Sequence, residues 1–207
     1  LAGSDGFAAI PFRTSTETVD ANLFHSNDWM YADGEVWTSL DTSNAIQQAA
    51  FNDLWTVAEE GATHSYDAED KSEGKASLKV EYTGTTATIA PVLGVYRSLE
   101  NQFENFGGLS VDMKNPDDRA KEVKLMLQSG GNTYTSADTA TLAAGSDFTR
   151  LAFSLEDLVD AGGEAVADVQ SILANVTALQ FVVTDTEAGT VYLDNIQFAV
   201  TLEEPVY

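Results

Sequence analysis

The segment Gly189-Thr190-Val191-Tyr192-Leu193-Asp194-Asn195-Ile196-Gln197-Phe198 sets the tightest limit on what this chain can fold into. Val191 and Leu193, and then Ile196 and Phe198, give the period of a strand with one buried face. Asp194 and Asn195 interrupt that period. A carboxylate inside a strand that otherwise belongs to a core is costly unless it is paired, hydrogen-bonded or bound to a metal. The chain therefore needs a β core with a polar fastening inside it.

The same alternation recurs upstream. Ala76, Leu78, Val80 and Tyr82 alternate after Gly74, which permits a tight turn. Leu109, Val111 and Met113 face one way while Ser110, Asp112 and Lys114 face the other. Further strands read over 86–93, 122–128, 149–155 and 178–184, with turns at Asn115-Pro116-Asp117-Asp118 and Ser129-Gly130-Gly131-Asn132. About eight strands separated by turn residues indicate an all-β antiparallel sandwich. One or two short helices accompany them. Val169, Ile172, Leu173 and Val176 share a helical face, and Ser154 with Asp157 caps a helical turn around Leu158. Residues 46–55 read either as a short helix or, from Ala49 to Val57, as a strand. Residues 46–207 form the sandwich domain, and 1–45 are an N-terminal extension or additional strands packed on it.

Charge narrows the partners. The 207 residues carry 33 acidic and 10 basic side chains, a net charge of −23. That argues against nucleic acid and anionic membrane surfaces, which need a positive footprint. With no cysteine there is no disulfide framework and no thiolate chemistry. No apolar run approaches the ~20 residues of a membrane helix. No nucleophile elbow, phosphate loop or zinc spacing is present. With 33 acids in the chain, a carboxylate pair for glycoside hydrolysis is easily found by chance, so acidic pairs carry no signal.

Several stretches resemble carbohydrate-binding modules with a galactose-binding-domain-like jelly roll, of the kind attached to polysaccharide-degrading enzymes. The closing strand Val191–Phe198 is similar to theirs, as are Ser72-Glu73-Gly74-Lys75-Ala76-Ser77-Leu78-Lys79-Val80 and Asn105-Phe106-Gly107-Gly108-Leu109-Ser110-Val111-Asp112-Met113-Lys114-Asn115. The resemblance spans about residues 55–200. It implies a structural calcium ion held by Asp194, with the acidic loop before Gly74 (Asp70, Glu73) and Glu59 as the further candidates, since a hard cation needs about 6–8 oxygens. It also implies a secreted or cell-surface protein, bacterial and of marine type.

Sugar binding draws on rings that stack on the C–H face of a pyranose and on amides and charges that bond its hydroxyls. The candidates are Trp29, Trp37, Tyr96, Arg97, Asp112, Gln128, Tyr134 and Gln180. For each of them the plain alternative is core packing or a solvated outer sheet face. The expected function is non-catalytic binding of a polysaccharide or oligosaccharide, with the chain monomeric or tethered to a catalytic domain. The alternatives are a small jelly-roll lyase or glycoside hydrolase, and a structural or adhesive sandwich.

Overall fold

The computed structural model describes residues 19–22, 29–32, 36–39, 55–59, 61–72, 76–91 and 103–200; for 19–22, 29–32, 36–39, 105 and 198–200 it describes the backbone alone. Fifteen strands lie in these residues. They are β1 (Val19–Asn22), β2 (Trp29–Ala32), β3 (Val36–Ser39), β4 (Trp55–Val57), β5 (Thr63–Asp67), β6 (Ser77–Tyr82), β7 (Thr86–Pro91) and β8 (Phe106–Lys114). There follow β9 (Lys121–Ser129), β10 (Asn132–Ser136), β11 (Ala140–Leu142), β12 (Thr149–Ser154), β13 (Leu158–Val159), β14 (Val176–Thr184) and β15 (Gly189–Val200). One α-helix, α1 (Val169–Leu173), and one 3-10 turn (Phe103–Asn105) complete the described elements.

All pairings are antiparallel and fall into two main sheets. The six-stranded sheet runs β12-β8-β15-β6-β5, with β1 also paired to β15; the seven-stranded sheet runs β13-β10-β9-β14-β7-β4, with β11 paired to β9. The strands β2 and β3 form a separate hairpin. The two-layer, all-antiparallel sandwich expected from the alternating segments is what the chain forms.

Alternation dictates the layers. In β9, Lys121, Val123, Leu125, Leu127 and Ser129 are buried while Glu122 and Lys124 are exposed. Leu78 and Val80 of β6, Val111 and Met113 of β8 and Leu193 of β15 point inward from the six-stranded sheet. They join Ile89, Leu125, Leu127, Phe181 and Val183 of the other sheet in one hydrophobic cluster. Phe153 and Phe181 meet across the two layers with ring centroids 6.3 Å apart.

β15 is the axis of its sheet. Residues 189–193 pair with β6 on one side, while residues 197–200 pair there with β1; β8 lies along the other side. The change of neighbour happens at Asp194–Asn195. Asp194 pairs with Asp112 and Gln197 with Ser110, so one extra residue is inserted. This is a β-bulge, and Asn195 occupies it at φ 49°, a conformation Asn tolerates better than most residues. The interruption visible in the sequence is the bulge at which the strand changes partner.

A second fastening closes one end of the sandwich. Lys121, fully buried, donates to Asp117, to Tyr82 Oη at 2.9 Å and to Asp185 Oδ2 at 2.8 Å. Tyr82 donates to the same Asp185 oxygen at 2.5 Å, and Arg119 Nε donates to Asp185 Oδ1 at 2.6 Å. Tyr82 comes from one sheet and Lys121 from the other, so this charge-compensated group ties the layers together. It packs against Gly189, where a Cβ would stand 2.6 Å from Asp117 Oδ2 and 2.7 Å from Lys121 Nζ.

Two local expectations change. The turn at Ser154–Asp157 does not enter a helix. Glu156 N–H donates to Ser154 Oγ as expected of a cap, but Leu158 and Val159 pair with β10 as a strand. Residues 55–57 of the ambiguous stretch are strand, paired with β7; the rest of it, from 46 to 54, lies outside the described residues. Gly189→Ala is expected to destabilise the fold by about 1–3 kcal/mol through overpacking against the Lys121 group. Urea unfolding measures it, and an unchanged midpoint would contradict the packing described.

Candidate functional site

Each sheet presents an outer face, and the two faces differ. On the six-stranded sheet, the outward residues of the central strands are largely covered. Asp194 is 2% exposed and Asp112 is 8% exposed. Ser72 donates to Asp194 Oδ2 through its backbone N–H at 2.8 Å and its hydroxyl at 3.2 Å. The N–H of Asn195 donates to Asp194 Oδ1 at 2.8 Å, and its side-chain amide donates to Asp112 Oδ2 at 2.9 Å. Arg150 Nε reaches Asp112 Oδ1 at 2.9 Å. Lys114 donates to Asp70 and lies 5.7 Å from the centre of the Tyr192 ring, against which Phe148 packs edge-on at 6.4 Å. The loop 68–72 and these ion pairs cover the centre of this face, along β15 and the adjoining part of β8, while Thr149, Arg150, Ala152 and Ser154 of β12 stay exposed.

Among the described residues nothing lies over the outer face of the seven-stranded sheet, whose outward side chains are exposed or half-buried. β9 contributes Glu122, Lys124, Met126 and Gln128; β14 contributes Ala178, Gln180, Val182 and Thr184. Thr86, Thr88 and Ala90 of β7 extend it on one side, and Thr133 and Thr135 of β10 on the other. The registers Met126–Gln180, Lys124–Val182 and Glu122–Thr184 set these side chains in rows across the sheet. Hydroxyls, amides and one charge of each sign surround a short apolar strip of Met126 and Val182. A depression of about 100 Å³ opens over that strip.

The sugar candidates divide accordingly. Gln128 and Gln180 both lie on the open face, and Gln128 Oε1 accepts from the Thr133 hydroxyl at 3.3 Å, leaving its amide N–H groups as donors. Asp112 lies on the opposite sheet and is committed to Arg150 and Asn195. Tyr134 pairs with Leu127 and shares its inward side, packed against the core. Asn132 pairs with Ser129 across the two-residue turn Gly130-Gly131, which places Tyr134 within β10. Trp29 and Trp37 are on the β2–β3 hairpin, paired with Ser39 and Tyr31 respectively, and their side chains lie outside the described residues. Tyr96 and Arg97 lie wholly outside them. Sequence reasoning under-used the threonines, whose recurrence on outward positions of β7, β10 and β14 was the available signal.

The calcium candidates that are described each have another partner. Asp194 is held by Ser72 and Asn195, Asp70 pairs with Lys114, and Glu59 accepts from Thr88 on the other sheet at 3.5 Å. Glu73 lies outside the described residues. Among the described residues no group of three or more His, Asp or Glu side chains is placed to hold a metal ion. Those residues therefore do not by themselves fit a calcium site, whose coordination takes about 6–8 oxygens.

No protein-family model and no curated protein matches the sequence. Solved structures do match. A family 11 carbohydrate-binding module from Clostridium thermocellum, in complex with a β-1,3-1,4-mixed-linked tetrasaccharide, aligns with TM-score 0.52 and 18% identity, covering 72% of this chain and 91% of that one. A family 28 module specific for non-crystalline cellulose aligns with TM-score 0.52 and 14% identity, over 70% of this chain and 86% of that one. An exo-β-agarase aligns with TM-score 0.52 and 12% identity, over 73% of this chain but 24% of its own. The fold is the β-sandwich of carbohydrate-binding modules, as the resemblance implied.

The buried carboxylates make stability depend on acid. Burial pushes Asp112 up, but hydrogen bonds from Arg150 and Asn195 outweigh it and hold the group below the usual carboxylate range. Burial likewise opposes ionisation of Asp117 and Asp185, and Lys121, with Arg119 at Asp185, reverses the effect. A carboxyl depressed in the folded state contributes stability fully present above its unfolded pKa and lost as pH falls through its folded value. The urea midpoint is expected to hold down to about pH 4 and to drop steadily toward about pH 2. A midpoint constant across that window would contradict the assignment.

Proposed function

We propose that this chain is a non-catalytic glycan-binding module that holds a polysaccharide chain against the outer face of the seven-stranded sheet. The contrast between the two outer faces carries the reading. One is covered at its centre by a loop and by ion pairs; the other presents rows of threonine and glutamine around an apolar strip. Hydroxyls and amides in fixed rows suit the repeated hydroxyls of a sugar chain, and the apolar strip suits its C–H faces. The two modules above, which hold a mixed-linked tetrasaccharide and non-crystalline cellulose, support a neutral glycan as the ligand class. The net charge of −23 disfavours polyanions by simple repulsion.

A binding module raises the local concentration of an attached or partner enzyme at its substrate. The exo-β-agarase comparison, covering 24% of that chain, shows a unit of this shape within a longer enzyme. On this reading the chain works outside the cell, secreted or at the cell surface. No described helix is long and apolar enough to cross a membrane.

A calcium ion belongs to this reading if residues beyond the described ones complete a shell around Asp194. Melting decides it. A Tm raised by calcium and lowered again by EDTA establishes the ion, because a metal bound only by the folded state stabilises it. Superimposed melts leave Ser72 and Asn195 as what holds the carboxylate.

The binding face is tested by Gln128→Ala and Gln180→Ala. Each removes hydrogen bonds worth about 0.5–1.5 kcal/mol and is expected to weaken binding to a soluble neutral polysaccharide by about two- to tenfold. Asp112→Asn, on the six-stranded sheet, is expected to lower stability and leave that affinity unchanged. Calorimetric titration measures both. Binding lost with Asp112→Asn but retained in both glutamine variants would move the site to the other sheet. Purified chain should release no reducing sugar from the same polymer.

A further inference from the structure

The depression on the open face has a particular charge arrangement. Glu122 and Lys124 lie at its edge, two residues apart on β9 and both exposed, with Thr135 and Thr184 on either side and Met126 and Val182 lining its floor. In an extended strand such positions stand roughly 7 Å apart on one face. Lys124 is singular. Lys71, Lys79, Lys114, Arg119, Lys121 and Arg150 each donate to a carbonyl or pair with a carboxylate. Among the described lysines and arginines, Lys124 alone makes neither kind of contact. In a chain with 33 acids and 10 bases, an unengaged cation is against expectation. Glu122 is equally unengaged.

Size limits the occupant. Pockets that enclose a whole small ligand run to about 300–1,000 Å³. At about 100 Å³ this one takes part of a single sugar unit, not an oligosaccharide. Its apolar floor fits the C–H side of a ring. Its edge offers a full donor and a full acceptor side by side: the ammonium donates and accepts nothing, and the carboxylate accepts and donates nothing. A hydroxyl does both, so two neighbouring hydroxyls can satisfy the pair at once. An anionic substituent would meet the ammonium favourably but the carboxylate unfavourably.

Resting on the glycan-binding reading above, we propose that Glu122 and Lys124 form a donor–acceptor bracket that reads two adjacent free hydroxyls on one uncharged sugar unit seated over Met126 and Val182. This makes the two residues specificity-determining. The subsite accepts a neutral unit with an unsubstituted vicinal diol and rejects uronate and sulfated units.

Affinity electrophoresis through gels containing mixed-linkage β-glucan, hydroxyethyl cellulose or polygalacturonate tests it, with wild type, Glu122→Gln, Lys124→Met and Lys124→Arg. Wild type should be retarded by at least one neutral polymer and not by polygalacturonate. Lys124→Met and Glu122→Gln should each lose roughly five- to tenfold in affinity, the loss of a charge-assisted hydrogen bond at a partly solvated site. Lys124→Arg, which keeps the donor, should retain most of it. Equal melting temperatures would show that the fold is intact. If a neutral polymer retards wild type and both loss variants equally, the bracket is overturned while the glycan-binding reading stands. If polygalacturonate retards wild type through Lys124, the site is an anion receptor and the proposal fails. If no neutral polymer retards wild type, the glycan-binding reading falls and takes the bracket with it.

Discussion

Two carboxylates, Asp112 and Asp194, stand directly opposite each other on adjacent central strands, and both are nearly removed from water. Left alone, that pair would cost several kcal/mol in repulsion and desolvation. The sheet is stable because each carboxylate draws one donor group of its own and the two share a third. Arg150 reaches across from β12 to Asp112, and Ser72 reaches in from the loop before β6 to Asp194. Asn195 serves both, through its side chain and its backbone. One pair thus ties together four parts of the six-stranded sheet. It also explains why the loop 68–72 lies over that face instead of extending into solvent.

The asymmetry of the two outer faces follows from this. A face that must supply donors to buried carboxylates cannot also offer those donors to a ligand. Polar groups on the six-stranded sheet are spent internally, on Asp112, Asp194 and the Lys114–Asp70 pair. The seven-stranded sheet carries no such obligation along β9 and β14. Its one demanding group, Lys121, is turned inward and neutralised at the end of the sandwich by Asp117 and Asp185. Gln180, Glu122 and Lys124 stay available on its outer face, while Thr88 and Thr133 bond to Glu59 and Gln128. Recognition and fastening are assigned to opposite sides of one core.

The sandwich was legible because burial has a period of two, and Leu109–Val111–Met113 or Leu125–Leu127 show it without help from tertiary structure. The Asp194–Asn195 interruption was legible as costly but not as a bulge, since a bulge is defined by the register of the partner strand. Short strands such as β5, β11 and β13 were missed because two to five residues carry too little period to register. The site was legible only in part. Gln128 and Gln180 follow from alternation, but nothing in one strand tells which outer face will be covered. Asp112 looked like an exposed polar residue, and only the positions of Arg150 and Asn195, from strands distant in sequence, remove it from the surface.

The placement of β15 bears on how the protein is made. This strand is the latest in the described chain, yet it lies between β6 and β8 and, past the bulge, between β1 and β8. A strand emerging from the ribosome pairs only with what has already been synthesised. Until residue 200 is available, β6 and β8 cannot be joined as the finished sheet joins them, and their inner edges stay unpaired. Such edges and long-range pairings make assembly slow and expose the nascent chain to wrong partners. The high negative charge, which keeps chains apart, matters most during that interval.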